Sequence, residues 1–249
     1  AYAFYRFCPH AYRMRYRQGI ALPWELPSDN ETGGTDLGSL VHWILAQWDF
    51  DEKNLELWLP YRQERYKEIK KQLPIELRPF WNTNQDWEKV RVWLLRLSQS
   101  KLGVILRKNS LSQNLEREKY FCINLDDGLI MTGIRDLLWI DDQGVHIIDY
   151  KTSSPDTAVL PLYQEQMHFY GLAIQKEHPG LPVHLGLYYV RENWFQMIHD
   201  FPSEDEMIFR VNSVAQNAAS QGSFPPSTDK CPSCPWKNHC SFYLKKVNI

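Results

Sequence analysis

Only five cysteines occur in 249 residues, too few for a disulfide scaffold in a chain of this size. There is no basic, apolar leader of the signal-peptide type, and no stretch of the ~18 uninterrupted apolar residues that a membrane helix needs. These absences predict a soluble protein of the reducing cytoplasm with no membrane partner. An excess of either charge is missing too: 28 Lys and Arg stand against 30 Asp and Glu, a net charge of -2. No global basic field announces a nucleic-acid partner, although a local basic groove stays open. Internal repeats and low-complexity tracts are also absent. What remains is 43% hydrophobic and 14% aromatic, enough for a single domain over residues 1–249 built as one core with a substantial insertion.

The cysteines are unevenly placed. Cys8 lies near the start, and Cys231, Cys234 and Cys240 lie near the end with C-x2-C-x5-C spacing. That spacing lets three sulfurs face one inorganic centre, which a fourth thiolate would complete. Cys8 supplies it only if the fold brings the two ends of the chain together. Zinc accepts the same three sulfurs with Cys8 or His239, so spacing by itself leaves zinc and iron-sulfur both open. Cys122, between Phe121 and Ile123 on a predicted strand, reads as a buried core thiol.

In the first segment Tyr2, Phe4, Tyr5, Phe7, Tyr12, Met14 and Tyr16 interleave with Arg6, Arg13, Arg15 and Arg17. This reads equally as an amphipathic helix docking its aromatics and as a DNA-contacting surface, and both can hold at once. Residues 22–36, rich in Pro, Asp, Asn and Gly, read as a loop. A helix then starts with Asp36 or Ser39 as its cap and carries His42 near its first turn. Residues 50–115 are charged and aromatic, with breakers at Pro60, Pro74 and Pro79, and read as two or three helices forming an inserted lobe.

Texture changes at Leu115. Strands are predicted over 118–125 and 129–139, joined by a hairpin turn at Asp126-Asp127-Gly128, and over 145–151 after a turn from Asp141 to Gly144. A helix over 162–176, strands over 183–190 and 194–199, and a last helix over 203–220 complete a mixed α/β fold.

The chemistry gathers on the meander. Asp149 and Lys151 are two apart on one strand, so both emerge on one face, beside Asp136 on the preceding strand. Alone, Asp149-Tyr150-Lys151 is an exposed strand face with an ion pair. Val145, Ile147 and Ile148 make the strand look buried, however, and charges at the end of a buried strand are costly unless they do work. Hard carboxylate ligands at such a site suit Mg2+ or Mn2+.

Gly133-Ile134-Arg135-Asp136 followed by Ile148-Asp149-Tyr150-Lys151 resembles the PD-(D/E)xK nuclease core, with Asp in place of Glu before the lysine. Gly38 to His42 resembles the G-x-x-x-H motif of its RecB-like branch, and Gln166 to Tyr170 the branch's Q-x-x-x-Y motif. Cys8 with the terminal three cysteines resembles the 4Fe-4S clasp of its CRISPR-associated, AddB, replication-nuclease and exonuclease V type members. The resemblance implies a restriction-endonuclease-like core with a central mixed sheet flanked by helices, a helical insertion, and a clasp made of residues 225–249 plus Cys8. It further implies a metal-dependent DNA nuclease of DNA repair, recombination, or phage- or CRISPR-related processing, acting as an exonuclease on single-stranded ends, with a helicase or a CRISPR adaptation complex as partner.

In that reading Asp136, Asp149, His42 and the backbone carbonyl of Tyr150 hold the metal. Lys151 serves the attacking water or the developing charge, while Gln166 and Tyr170, four apart on one helix face, help position DNA or the site. Apart from the motif, His42 reads as an ordinary helix histidine. His168 lies off the Gln166 face, and Glu116 and Glu118 read as solvated charges before ligands, with an approach of one of them to the metal left open. The alternatives are a non-enzymatic DNA-binding or assembly module on the same fold, and a zinc-stapled adaptor whose Asp-x-Lys is incidental.

Overall fold

The computed structural model describes residues 2–19, 34–72, 84–125, 129–157, 159–199, 201–219, 224–234, 236–237 and 240–247. At its centre is β3 (Gly144–Lys151), whose Val145, Ile147, Ile148 and Tyr150 are all buried, the pattern of a strand covered on both faces. Around it β1 (Leu115–Leu125), β2 (Leu129–Asp141), β4 (Val183–Tyr189) and β5 (Trp194–Ile198) form one sheet in the order β1-β2-β3-β4-β5. Neighbours are antiparallel except β3 and β4, which run parallel and are connected through α7 (Leu160–Glu177).

Four helices belong to one face: α3 (Gly34–Leu45), α4 (Glu52–Gln72), α5 (Asn84–Gln99) and α6 (Lys101–Leu111). Leu40, Ile44, Leu94 and Leu97 share a core there with Leu137, Trp139, Ile148 and Tyr150. The helices of residues 50–115 therefore use the sheet's own core. On the other face α7 and α8 (Glu204–Ala219) bury Met167, Leu172, Ile174 and Met207 against Phe121, Leu138, Ile147 and Leu185. Each such aliphatic side chain contributes about 1.5–3 kcal/mol relative to exposure.

A third, smaller core unites the chain ends. Phe7, at the end of α1 (Tyr2–Phe7), packs with Cys8, Ala11 of α2 (Pro9–Tyr12), Met14 and Trp236, and Leu162 of α7 leans on them. A short π-helical turn at Arg13–Arg17, a 3-10 turn at Thr228–Ser233 and α9 (Ser241–Val247) complete this end. Docking therefore describes Phe7 and Met14, whereas Tyr16 is exposed. Tyr12 stacks near Phe224 with ring centres 6.1 Å apart, while Arg6 stays on the surface and pairs with Glu165 at 3.7 Å.

Some expectations are corrected. Pro60 does not break its helix but sits exposed inside α4, where the carbonyl it leaves without a donor can turn to water. The helix carrying His42 begins at Gly34, so Asp36 and Ser39 lie within it rather than capping it. Cys122 is exposed, not buried, because Phe121 and Ile123 on either side of it take the core face. Pro74, Pro79, the turn at Asp126 to Gly128, His239 and most of the 22–36 loop lie outside the described residues. Among the described residues no helix is long and apolar enough to cross a membrane.

Candidate functional site

The site forms where the β2–β3 ladder stops. Pairing runs from Asp141 and Gly144 to Leu137 and Ile148, and one step further Asp136 Oδ2 takes over by accepting the backbone N–H of Tyr150 at 2.7 Å. A carboxylate thus replaces a ladder carbonyl. It leaves the buried Asp136 fixed beside Asp149, itself 2% exposed.

From the face covered by α3–α6, α3 delivers His42. One turn earlier, a Cβ on Gly38 would stand 3.0 Å from Thr152 Oγ1, just past the end of β3, so glycine lets the helix approach the strand closely at that turn. His42 Nδ1 lies 3.3 Å from Asp136 Oδ2 and 3.5 Å from Glu118 Oε1, while Nε2 lies 3.2 Å from the Tyr150 carbonyl oxygen. Both ring nitrogens face acceptors, the arrangement of an imidazolium. Burial pulls the His42 pKa down, but the Asp136 and Glu118 carboxylates outweigh it and hold it up at about 10.

Glu118, read from the sequence as a solvated charge with an approach to the metal left open, is the further carboxylate of the site. Its backbone is left-handed, with φ of 46°, which is uncommon for a non-glycine strand residue. The β1–β2 register is the same on both sides of it, Arg117 opposite Leu137 and Lys119 opposite Arg135. No residue is inserted, but the faces swap. Before the swap Leu115 and Leu137 look toward α3–α6, and after it Phe121 looks toward α7. The twist turns the Glu118 carboxylate to His42. His42, Glu118 and Asp136 then offer three ligand atoms within 4.8 Å of one another. The geometry and donor types suit a hard divalent cation, with the Tyr150 carbonyl alongside.

Asp149 is held differently. Lys151 Nζ lies 2.5 Å from its Oδ2, and Gln166 Nε2 donates to its Oδ1 at 3.1 Å. Gln166 also accepts from Lys151 Nζ at 3.1 Å and donates to the Tyr170 hydroxyl at 2.7 Å. One amide therefore ties the acid, the lysine and the tyrosine together. The ring of Tyr163 lies 4.0 Å from Lys151 Nζ. Burial raises the Asp149 pKa, against the pull of the Lys151 ammonium and with the push of the Asp136 charge. For Lys151, burial lowers the pKa but the Asp149 carboxylate overcompensates, so the ammonium persists. All the expected site residues meet at the end of β3, with Asp149 joined to the lysine side and Glu118 completing the three-atom set.

Tyr170 reaches the site because Gly133 makes room. A Cβ at Gly133 would come within 2.7 Å of the Phe121 ring, its cross-strand partner, and that ring supports Tyr170 edge-on at 5.8 Å.

The other centre lies at the chain ends. Cys8, Cys231, Cys234 and Cys240 line one cavity together with Phe7, Met14 and Tyr243. Burial and the neighbouring sulfurs of Cys8, Cys240 and Cys231 push the Cys234 thiol up to about 11, against a hydrogen bond from Trp236. Four thiols lining one cavity, three of them buried and Cys234 half-buried, fit a soft metal or cluster that would take them as thiolates. Helix α7 connects the two centres: Leu162 and Glu165 meet the chain-end core and Arg6, while Tyr163 and Gln166 hold Lys151.

In comparisons with known proteins, no curated protein matches the chain. A solved structure described as "Crystal structure of SSO0001" is similar at 17% identity with a TM-score of 0.39, covering 72% of this chain and 80% of that one. The family model of the PD-(D/E)XK nuclease superfamily matches residues 1–241.

Proposed function

Since the chain belongs to the PD-(D/E)XK nuclease superfamily, we propose that it is a Mg2+- or Mn2+-dependent exonuclease acting on single-stranded DNA ends. The observation that carries this reading is the meeting of His42, Glu118 and Asp136 with the Asp149–Lys151–Gln166 network at one strand end. His42, Asp136 and the Tyr150 carbonyl, joined by Glu118 and flanked by Asp149, are the groups that would hold the cation. When bound, that cation supplies a Lewis acid for the phosphate and acidifies water.

The remaining chemistry belongs to the chain itself. Lys151 keeps its proton and is aimed by Asp149 and Gln166, so its ammonium offers fixed positive charge where the phosphate becomes more negative. Gln166 holds the lysine in one orientation, and Tyr170 holds Gln166. The buried setting strengthens each of these interactions.

We assign the four cysteines to a 4Fe-4S cluster that closes a single domain, with residues 50–115 as its inserted helical part. Zinc would accept the same four sulfurs in tetrahedral geometry; the resemblance of Cys8 and the C-x2-C-x5-C spacing to the family's clasp, with all four cysteines lining one cavity, favours the cluster. A cytoplasmic role in repair, recombination or CRISPR-type processing beside a helicase or adaptation partner completes the proposal.

End-labelled single-stranded DNA incubated with Mn2+ tests the enzyme. Wild type should shorten it, Asp149→Ala should not, and equal degradation by both would reject the site. Strands blocked at the 5' or 3' end give the polarity, and a closed circle that is cut would reject exonuclease action. Iron and acid-labile sulfide in anaerobically purified protein test the cluster, which zinc alone would refute.

A further inference from the structure

The β1–β2 hairpin extends past the helices that cover its carboxylate end. From Tyr120 to Asn124, and from Ile130 to Arg135, exposure alternates: Phe121, Ile123 and Arg135 are buried, whereas Tyr120, Cys122, Thr132 and Ile134 are open. The buried set faces α7, where Arg135 pairs with Glu177 at 2.6 Å and Phe121 meets Tyr170. The open set shares a face with Glu118 and Asp136, because the left-handed backbone of Glu118 swaps the faces at that point. The floor of the candidate site therefore continues outward as a bare sheet face.

That face has a distinct chemistry. Tyr120 is 60% exposed, its cross-strand partner Ile134 50%, and Ile130 64%. Arg135 and its cross-strand partner Lys119 lie on the opposite side, so among the described hairpin residues the open face offers flat and branched apolar surface and no cation. Contiguous exposed apolar surface of this kind marks a binding face. Its continuity with the carboxylate centre points to the substrate. Tyr120 and Ile134 lie two residues from Glu118 and Asp136, about 6.8 Å along the strands, a distance of the order of one nucleotide in an extended chain. Without cations the face does not recognise phosphates, but an exposed tyrosine ring with aliphatic neighbours accepts the faces of unpaired bases whatever their sequence.

We propose that the open face of the β1–β2 hairpin is a base-stacking track that guides a single strand of nucleic acid into the carboxylate centre, with Tyr120 as the stacking residue and Ile134 and Ile130 as its apolar bed. This rests on the nuclease reading. The strand lies with its bases on the sheet and its phosphates outward until it reaches the site. A duplex, whose base faces are already stacked on one another, gains nothing from the track.

Binding of a labelled oligothymidylate to the full chain, measured by anisotropy with Ca2+ across a salt series, tests the proposal. Tyr120→Ala should weaken binding by about 5- to 100-fold, the loss expected for one stacked base. Tyr120→Phe should bind like wild type, and the slope of affinity against salt should not change, since no phosphate contact is removed. Unchanged binding by Tyr120→Ala, or a lower salt slope, would overturn the track. So would a wild-type dimer in sedimentation that Tyr120→Ala dissociates, because the face would then belong to a second copy. Lys151→Ala tests the underlying reading separately: cleavage should vanish with binding retained. If wild type cleaves DNA while Tyr120→Ala binds it normally, only the track fails; if wild type cleaves none, the nuclease reading itself fails.

Discussion

Glu118 reaches His42 by a backbone conformation that costs about 1–3 kcal/mol and persists only where its surroundings enforce it. Replacing the carboxylate while keeping its shape, Glu118→Gln, should weaken Mn2+ binding by about 10- to 100-fold with little change in unfolding, as read by calorimetry. The His42 imidazolium gives a second expectation. A metal takes the neutral ring, so binding must release the proton that Asp136 and Glu118 hold up to about pH 10. Mn2+ affinity should therefore rise with pH below that value, by about tenfold per unit for each proton released. Titrations in buffers of different ionisation enthalpy would reveal the released proton, and affinity independent of pH would contradict the ligand role. Asp149 and Lys151 were legible in sequence because strand period alone sets them on one face. Glu118 was legible only as one of two acids that could approach the metal, since nothing in Arg117-Glu118-Lys119 signals a positive φ, and a charged triplet ordinarily reads as a solvated strand.

Among the elements, β1 and β2 carry the clearest lesson on sequence pattern. Tyr120-Phe121-Cys122-Ile123 is apolar at every position, so alternation could not say which side faced the core. Packing against α7 decided it, burying Phe121 and Ile123 and leaving Cys122 outside. Glycines were legible as motif members, but their reasons were not. Gly133 serves Phe121, and Gly133→Ala should cost about 1–3 kcal/mol through overpacking, lowering the denaturation midpoint. The shift of Phe121 should also loosen Tyr170 and, through it, Gln166. Element boundaries were read to within a few residues for β2, β3 and α7, where hydrophobic runs are long. Pro60 misled because a proline on the wet side of a long helix loses a hydrogen bond that solvent can replace.

At the scale of the whole molecule, the two chain ends meet in one small core, so the four cysteines join parts of the chain that are distant in sequence. That meeting was legible only as a condition: spacing located three sulfurs, and the fold alone could bring Cys8 to them. Cys8→Ser should lower both the iron content and the melting temperature of anaerobically purified protein, whereas Cys122→Ser, on an open strand face, should change neither. A melting temperature that did not respond to Cys8→Ser would separate the clasp from domain stability. Helix α7 touches the chain-end core through Leu162 and Glu165 and the lysine network through Tyr163 and Gln166, within little more than one turn. Each residue added to a helix rotates its remaining C-terminal part by about 100° and advances it by about 1.5 Å. A single-residue insertion or deletion in that turn would therefore put one centre out of phase with the other, so the spacing along this stretch is as constrained as Gln166 itself.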